Sequence, residues 1–209
     1  MIKRSLAEFL GSFFLCLVIC LTAMSSHPEF TPFAAGFILL AMVYASGHIS
    51  GAHFNPMVTI AVLLRGKIQL NMAPVYILSQ CLGAGLAGVI AILLSANKQV
   101  TALDLSNIPL EAILAEFIGS FALAYVVLNV ATAKNTQGND YYGMAIGLTV
   151  CGLALALGGV SGGVFNPAVA IALGVSKLSM FSNLWIQWIG ELLGGIMAAL
   201  VFVFLNGKE

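Results

Sequence analysis

The sequence predicts an all-α membrane protein: six transmembrane helices and two half-length helices, arranged as an inverted repeat. Composition, the lengths of the apolar runs and the chain's similarity to itself carry that prediction. Of 209 residues, 60% are apolar and 8% charged, net charge is zero, and mean hydropathy is +1.03. A soluble domain of average composition carries about 25% charged residues, so this chain cannot coat a water-facing surface. Neutrality without a basic run gives no footing to a nucleic-acid partner or an acidic ligand.

Apolar segments run from about Leu6 to Met24, Phe33 to Ser50, Met72 to Leu94, Ile113 to Ala133, Tyr142 to Gly158 and Phe181 to Leu205. Each is long enough for a spanning helix, which needs about 20 residues. Pro56 to Leu64 and Pro167 to Val175 are equally apolar but about half that length. The N-terminal Met-Ile-Lys-Arg resembles the start of a signal peptide, yet a long span without a small-residue cleavage site follows, which predicts an uncleaved first helix. With the N-terminus inside, Lys3, Arg4, Arg65, Lys67, Lys134 and Lys208 share one side, against Lys98 and Lys177 on the other. That excess places both termini on the cytoplasmic side of a multi-pass protein of the cell membrane.

Leu6-Ala-Glu-Phe-Leu-Gly-Ser-Phe13 recurs as Leu114-Ala-Glu-Phe-Ile-Gly-Ser-Phe121, and Ser50-Gly-Ala-His-Phe-Asn-Pro-Met-Val58 as Ser161-Gly-Gly-Val-Phe-Asn-Pro-Ala-Val169. Residues 1–209 therefore form one domain of two repeats, approximately 5–95 and 113–206. Each repeat holds three crossings and one short segment, and an odd number of crossings inserts the second upside down. Such repeats place a site at mid-membrane where broken helices meet.

Asn55-Pro56 and Asn166-Pro167 open the two short segments. Asn is a strong N-cap, and proline is tolerated at the first helical position because the N–H it lacks has no partner there. Inversion brings the two short helices in from opposite faces to meet tip to tip, with their positive dipole ends on one spot. Non-helical backbone at that depth is tolerated only inside protein or along a watery cavity, so residues 51–54 and 162–165 are expected to line one. From the residues alone, this is a midplane site for a small polar solute.

These features identify the chain by resemblance as a member of the aquaporin, or major intrinsic protein, family. Six spans, two inverted halves, the paired signatures Asn55-Pro56-Met57 and Asn166-Pro167-Ala168, the run from Gly47 to Pro56 and the Ala-Glu-Phe starts of spans one and four all match it. The resemblance implies a right-handed bundle and a homotetramer with one pore per protomer. It implies that Asn55 and Asn166 donate to passing solute, and that the carbonyls of Gly51, Ala52, His53, Gly162, Gly163 and Val164 form an acceptor ladder. Two donors and two positive helix ends at the midplane would orient water and repel cations.

The chain departs from the family pattern where selectivity is set. Water channels carry an Arg directly after the second signature; here that residue is Val169. By the family's spacing the other selectivity-filter positions are Ala35, Ala154 and Gly163. All four are small or aliphatic, which predicts a wide, uncharged filter passing water, glycerol, urea, hydrogen peroxide, ammonia or neutral metalloid hydroxides. The Arg-Asp that marks glycerol facilitators is also missing. Met57 in place of Ala leaves two readings open, a reshaped midplane or packing against a neighbouring span.

Glu8, Glu116 and Glu191 lie within spans, where an acid is a functional candidate. By resemblance Glu8 and Glu116 bond the backbone of the re-entrant loops. For Glu191 three roles stay open: loop-holding acceptor, protonated core residue or gating group. His48 and His53 are candidates for a pH gate or for structural hydrogen bonds. Cys16, Cys20, Cys81 and Cys151 lie in apolar runs and predict packing. No metal-ligand spacing, cofactor motif or catalytic triad is present in the sequence, so no metal, cofactor or enzyme activity is expected. The alternative is a proton- or ion-coupled transporter on the same plan, for which the three glutamates are the candidate coupling groups.

Overall fold

The computed structural model describes residues 1–96 and 100–207; Lys98 and Lys208, used above for orientation, lie outside the described residues. Eight α-helices appear among them: α1 (Ile2–Ala23), α2 (Thr31–Ser50), α3 (Pro56–Leu64), α4 (Ala73–Leu94), α5 (Pro109–Thr132), α6 (Tyr142–Ser161), α7 (Pro167–Val175) and α8 (Leu184–Asn206). Six helical segments are long and apolar enough to cross a membrane. Both short helices have the bounds the sequence gives. The spans run further than the apolar segments: α1 starts four residues before Leu6, and α6 continues past Gly158 to Ser161. Helix geometry does not stop where hydrophobicity does, so charged Lys3, Arg4 and Glu111 ride on first turns.

Proline marks where helices begin. Pro32, Pro56, Pro74, Pro109 and Pro167 each stand in the opening positions of an α-helix, and Pro28 opens a 3₁₀ turn before α2. Helices α2 and α6 end on Gly51 and Gly162, at φ +91° and +93°. A left-handed residue there turns the chain back into the membrane, a conformation glycine adopts without steric cost.

Packing follows the repeat. Helix α1 lies against α4 and α5 against α8, while α2 and α6 meet across the pseudo-twofold axis; each short helix crosses over, α3 to α8 and α7 to α4. Small residues set the close approaches. A Cβ on Gly88 would stand 2.8 Å from the Ala172 carbonyl oxygen, and one on Gly190 2.5 Å from that of Ile113; small residues at four-residue spacing, Ala84 with Gly88 and Gly190 with Gly194, permit this close helix packing. Leu78, Leu82, Leu86 and Leu93 of α4 stay exposed on the outer face, whereas Glu8, Glu116 and Glu191 are fully buried. That inside-out polarity suits a lipid surround.

Candidate functional site: two half-helices and the cavity between them

The short helices touch at the centre of the bundle. Asn55 caps α3, its Oδ1 accepting from the Met57 N–H at 2.9 Å and the Val58 N–H at 3.4 Å. Asn166 caps α7, accepting from the Ala168 N–H at 3.0 Å. Each amide nitrogen then reaches across the pseudo-axis. Asn55 Nδ2 donates to the Phe165 carbonyl at 2.8 Å, and Asn166 Nδ2 to the Phe54 carbonyl at 3.0 Å. These reciprocal bonds clamp the two helix tips together. Each amide carries two hydrogens, so one remains beyond the clamp, and both Asn residues line the same cavity.

The loops before the signatures hold unusual backbone. Ala52, Phe54 and Phe165 have φ of +51°, +49° and +49°, and Gly163 has +64°. Non-glycine residues in the left-handed region cost energy and persist only when their surroundings hold them. The buried glutamates do this. Glu8 Oε1 accepts from the Ser50 hydroxyl at 2.6 Å and the His53 N–H at 3.0 Å; Oε2 accepts from the Phe54 N–H at 2.7 Å and Gln80 Nε2 at 2.8 Å. Glu116 Oε1 accepts from the Ser161 hydroxyl at 2.6 Å and the Val164 N–H at 3.0 Å, and Oε2 from the Phe165 N–H at 2.7 Å. Charge-assisted bonds of this kind are roughly twice as strong as neutral ones.

Gly11 and Gly119, one helical turn after those glutamates, supply the other half of the grip. A Cβ at either position would overlap the ring of Phe54 or Phe165. The repeated Glu-x-x-Gly is thus one device: the carboxylate takes the loop N–H groups and the glycine opens a slot for the ring between them. The sequence displays the repeat, but not that its glycine and the phenylalanine before each Asn-Pro are partners.

The cavity holds about 340 Å³. Its walls include Leu15, Leu39, Leu123, Val127, Ile146 and Val150, with Ala35, Ala154, Gly163 and Val169, the four positions predicted for the filter. Ala52, His53, Gly162 and Val164 of the expected carbonyl ladder line it too, while Gly51 lines two further cavities beside Lys67. A Cβ on Gly163 would be crowded, 3.1 Å from both Ala154 and Gly158 Cα atoms, and strained at φ +64°. Polar lining comes from Asn55, Asn166, His53, Thr31 and Glu29. Glu29, exposed at one mouth and 3.2 Å from His27 Nδ1, lines it as well, and no motif in the sequence marks it.

Met57 takes the packing role. It is fully buried, and a Cβ on Gly195 of α8 would stand 2.5 Å from its Cγ and Sδ. The pseudo-equivalent residues are Ala168 and Ala84, so the missing Cβ of Gly195 gives up part of the room that the longer Met57 side chain takes. His53 is also committed to structure. The Thr59 hydroxyl donates to the Asn55 carbonyl at 3.0 Å, so it accepts from His53 Nδ1–H at 3.1 Å and from Gln80 Nε2 at 3.0 Å. His48 lines the cavity that holds Gly51, Lys67 and Tyr142. The four cysteines are free, Cys81 half-buried and the others buried.

Comparison with known proteins meets this geometry. The family model described as "Major intrinsic protein" matches residues 1–202. The chain belongs to the major intrinsic protein family. It is 30% identical to a probable aquaporin of the NIP type from Nicotiana alata, covering 100% of this chain and 79% of that protein. It is 31% identical to nodulin-26 from Glycine max, covering 96% and 77%. A solved aquaglyceroporin from Plasmodium falciparum shares the fold, with TM-score 0.81 and 20% identity over 96% of this chain and 95% of that one. Major intrinsic proteins are membrane channels rather than enzymes, and the chain is a channel of this family for water or small solutes.

Proposed function

We propose that the channel passes small neutral solutes beyond water, among them glycerol, urea, hydrogen peroxide, ammonia and neutral metalloid hydroxides, through a filter formed by Ala35, Ala154, Gly163 and Val169. The observation that carries this reading is the lining: the residues at all four positions are small or aliphatic, and none brings a charge or a side-chain donor. Selectivity by size and electrostatics then rests on the midplane, where the second hydrogen of each Asn55 and Asn166 amide donates to a passing oxygen. The carbonyls of Gly51, Ala52, His53, Gly162, Gly163 and Val164 accept from its hydrogens. Two positive helix ends at the same spot disfavour cations. The protein acts as a homotetramer of independent pores in the cell membrane, with both termini cytoplasmic. Loading proteoliposomes and following glycerol efflux tests the passive mechanism. Efflux linear in gradient and indifferent to an uncoupler is expected; saturation, or arrest when the proton gradient collapses, points to coupled transport instead.

A further inference from the structure

We infer that Glu191 is a neutral carboxylic acid, that its Oε2–H is donated to Glu116, and that it positions Asn166. The argument starts from the imperfect symmetry of the two loop anchors. In the first half the Glu8 carboxylate has four donors, the last being Gln80 Nε2 on Oε2 at 2.8 Å. In the second half Glu116 has the three corresponding donors, from Ser161, Val164 and Phe165. The fourth place belongs to the residue 111 positions after Gln80, which is Glu191.

Glu191 is fully buried. Its Oε1 accepts from the Asn166 N–H at 3.0 Å, and its Oε2 bonds nothing among the described residues. Glu116 and Glu191 therefore take the N–H groups of consecutive residues, Phe165 and Asn166, and α8 lies close against Glu116 here, a Cβ on Gly190 standing 2.8 Å from Glu116 Cβ. An ionised carboxylate only accepts; a protonated one has an O–H to give. Only as an acid does Glu191 offer Glu116 what Gln80 offers Glu8. The donors to all three glutamates are neutral hydroxyl, amide and backbone groups, so among the described residues the positive end of α7 is left to offset the charge on this pair, and it carries only about half a unit charge. Adjacent buried carboxylates do not both ionise under those conditions.

The acid also replaces a lost tie. Tyr76 donates to the Ser50 carbonyl at 2.8 Å and fixes the end of α2. Its counterpart Gln187 is fully buried with neither amide atom bonded among the described residues. The second loop is held instead at Asn166 itself, the residue whose amide reaches the Phe54 carbonyl.

The role in flux rests on the channel reading above, whereas the protonation state does not, and the test separates them. Infrared spectra in ester-free detergent at neutral pH are expected to show a carboxylic-acid C=O band that is lost in Glu191→Gln. Gln80→Glu, which repeats the second-half arrangement in the first, is expected to add a second band. In proteoliposomes Glu191→Leu loses flux and Glu191→Gln recovers it, because the amide offers the same acceptor and donor. A wild-type spectrum without the band, or a band unchanged in Glu191→Gln, overturns the protonated acid. A Glu191→Gln protein as impaired as Glu191→Leu overturns the positioning role, and if Glu191→Leu does not fold the two infrared variants still decide.

Discussion

Replacing Val169 with arginine perturbs the filter at the point where it departs most from the family's water channels. Val169 sits on the first turn of α7, is 4% exposed, and shares a wall with Ala35, Ala154 and Gly163. A guanidinium there narrows the opening and adds a fixed charge. A cation sharing the opening at about 4 Å meets a repulsion of about 4 kcal/mol at an effective dielectric of about 20. At about 1.4 kcal/mol per decade, that is close to a thousandfold. Stopped-flow shrink–swell of proteoliposomes reads the neutral solutes, and a potential-sensitive dye reads potassium. Val169→Arg is expected to keep water flux while losing glycerol and urea, and to suppress any cation leak by the factor above. Val169→Leu, which changes shape without charge, separates bulk from electrostatics. A folded Val169→Arg protein passing glycerol at the wild-type rate would refute the assignment of this wall as the filter.

Other consequences follow from the anchors. Glu8→Ala strips acceptors from four donors, two buried and two half-buried, and at about 1–3 kcal/mol for each buried one the loss is a large share of the stability of a typical domain; fluorescence-detected size exclusion should find much less folded protein than for the wild type. Gly119→Ala drives a methyl into the Phe165 ring and should cost about 1–3 kcal/mol by overpacking. It should also lower flux, because the Phe165 carbonyl anchors Asn55; a shift in thermal unfolding with flux unchanged would break that link. Met57→Ala opens a cavity beside Gly195 and should destabilise by about 2–5 kcal/mol. Its solute selectivity should stay as in the wild type, since Met57 packs away from the pore.

Much of the fold is legible because membrane physics leaves few options. A chain this apolar must satisfy its backbone in helices, and Asn before a nine-residue apolar run that starts with proline marks a half-helix to the residue, as α3 and α7 show. Proline and glycine punctuation locates the bends for the same reason. The cross-chain partnerships are less legible. Nothing local in Gly11 or Gly119 announces a slot for a phenylalanine some 45 residues on, because such steric pairing is a property of the packed bundle. Met57 is ambiguous in sequence because its compensation, Gly195, lies on another helix. Glu191 stands out as an acid inside a span, yet its bond to Asn166 appears only once α8 is laid against the second loop.

The wide, uncharged filter is tested most directly by the permeability of wild-type proteoliposomes to glycerol and urea, measured beside water by stopped-flow light scattering against protein-free vesicles. The account predicts that all three pass faster in the presence of the protein. Fast water with glycerol and urea both held at the protein-free rate would contradict it.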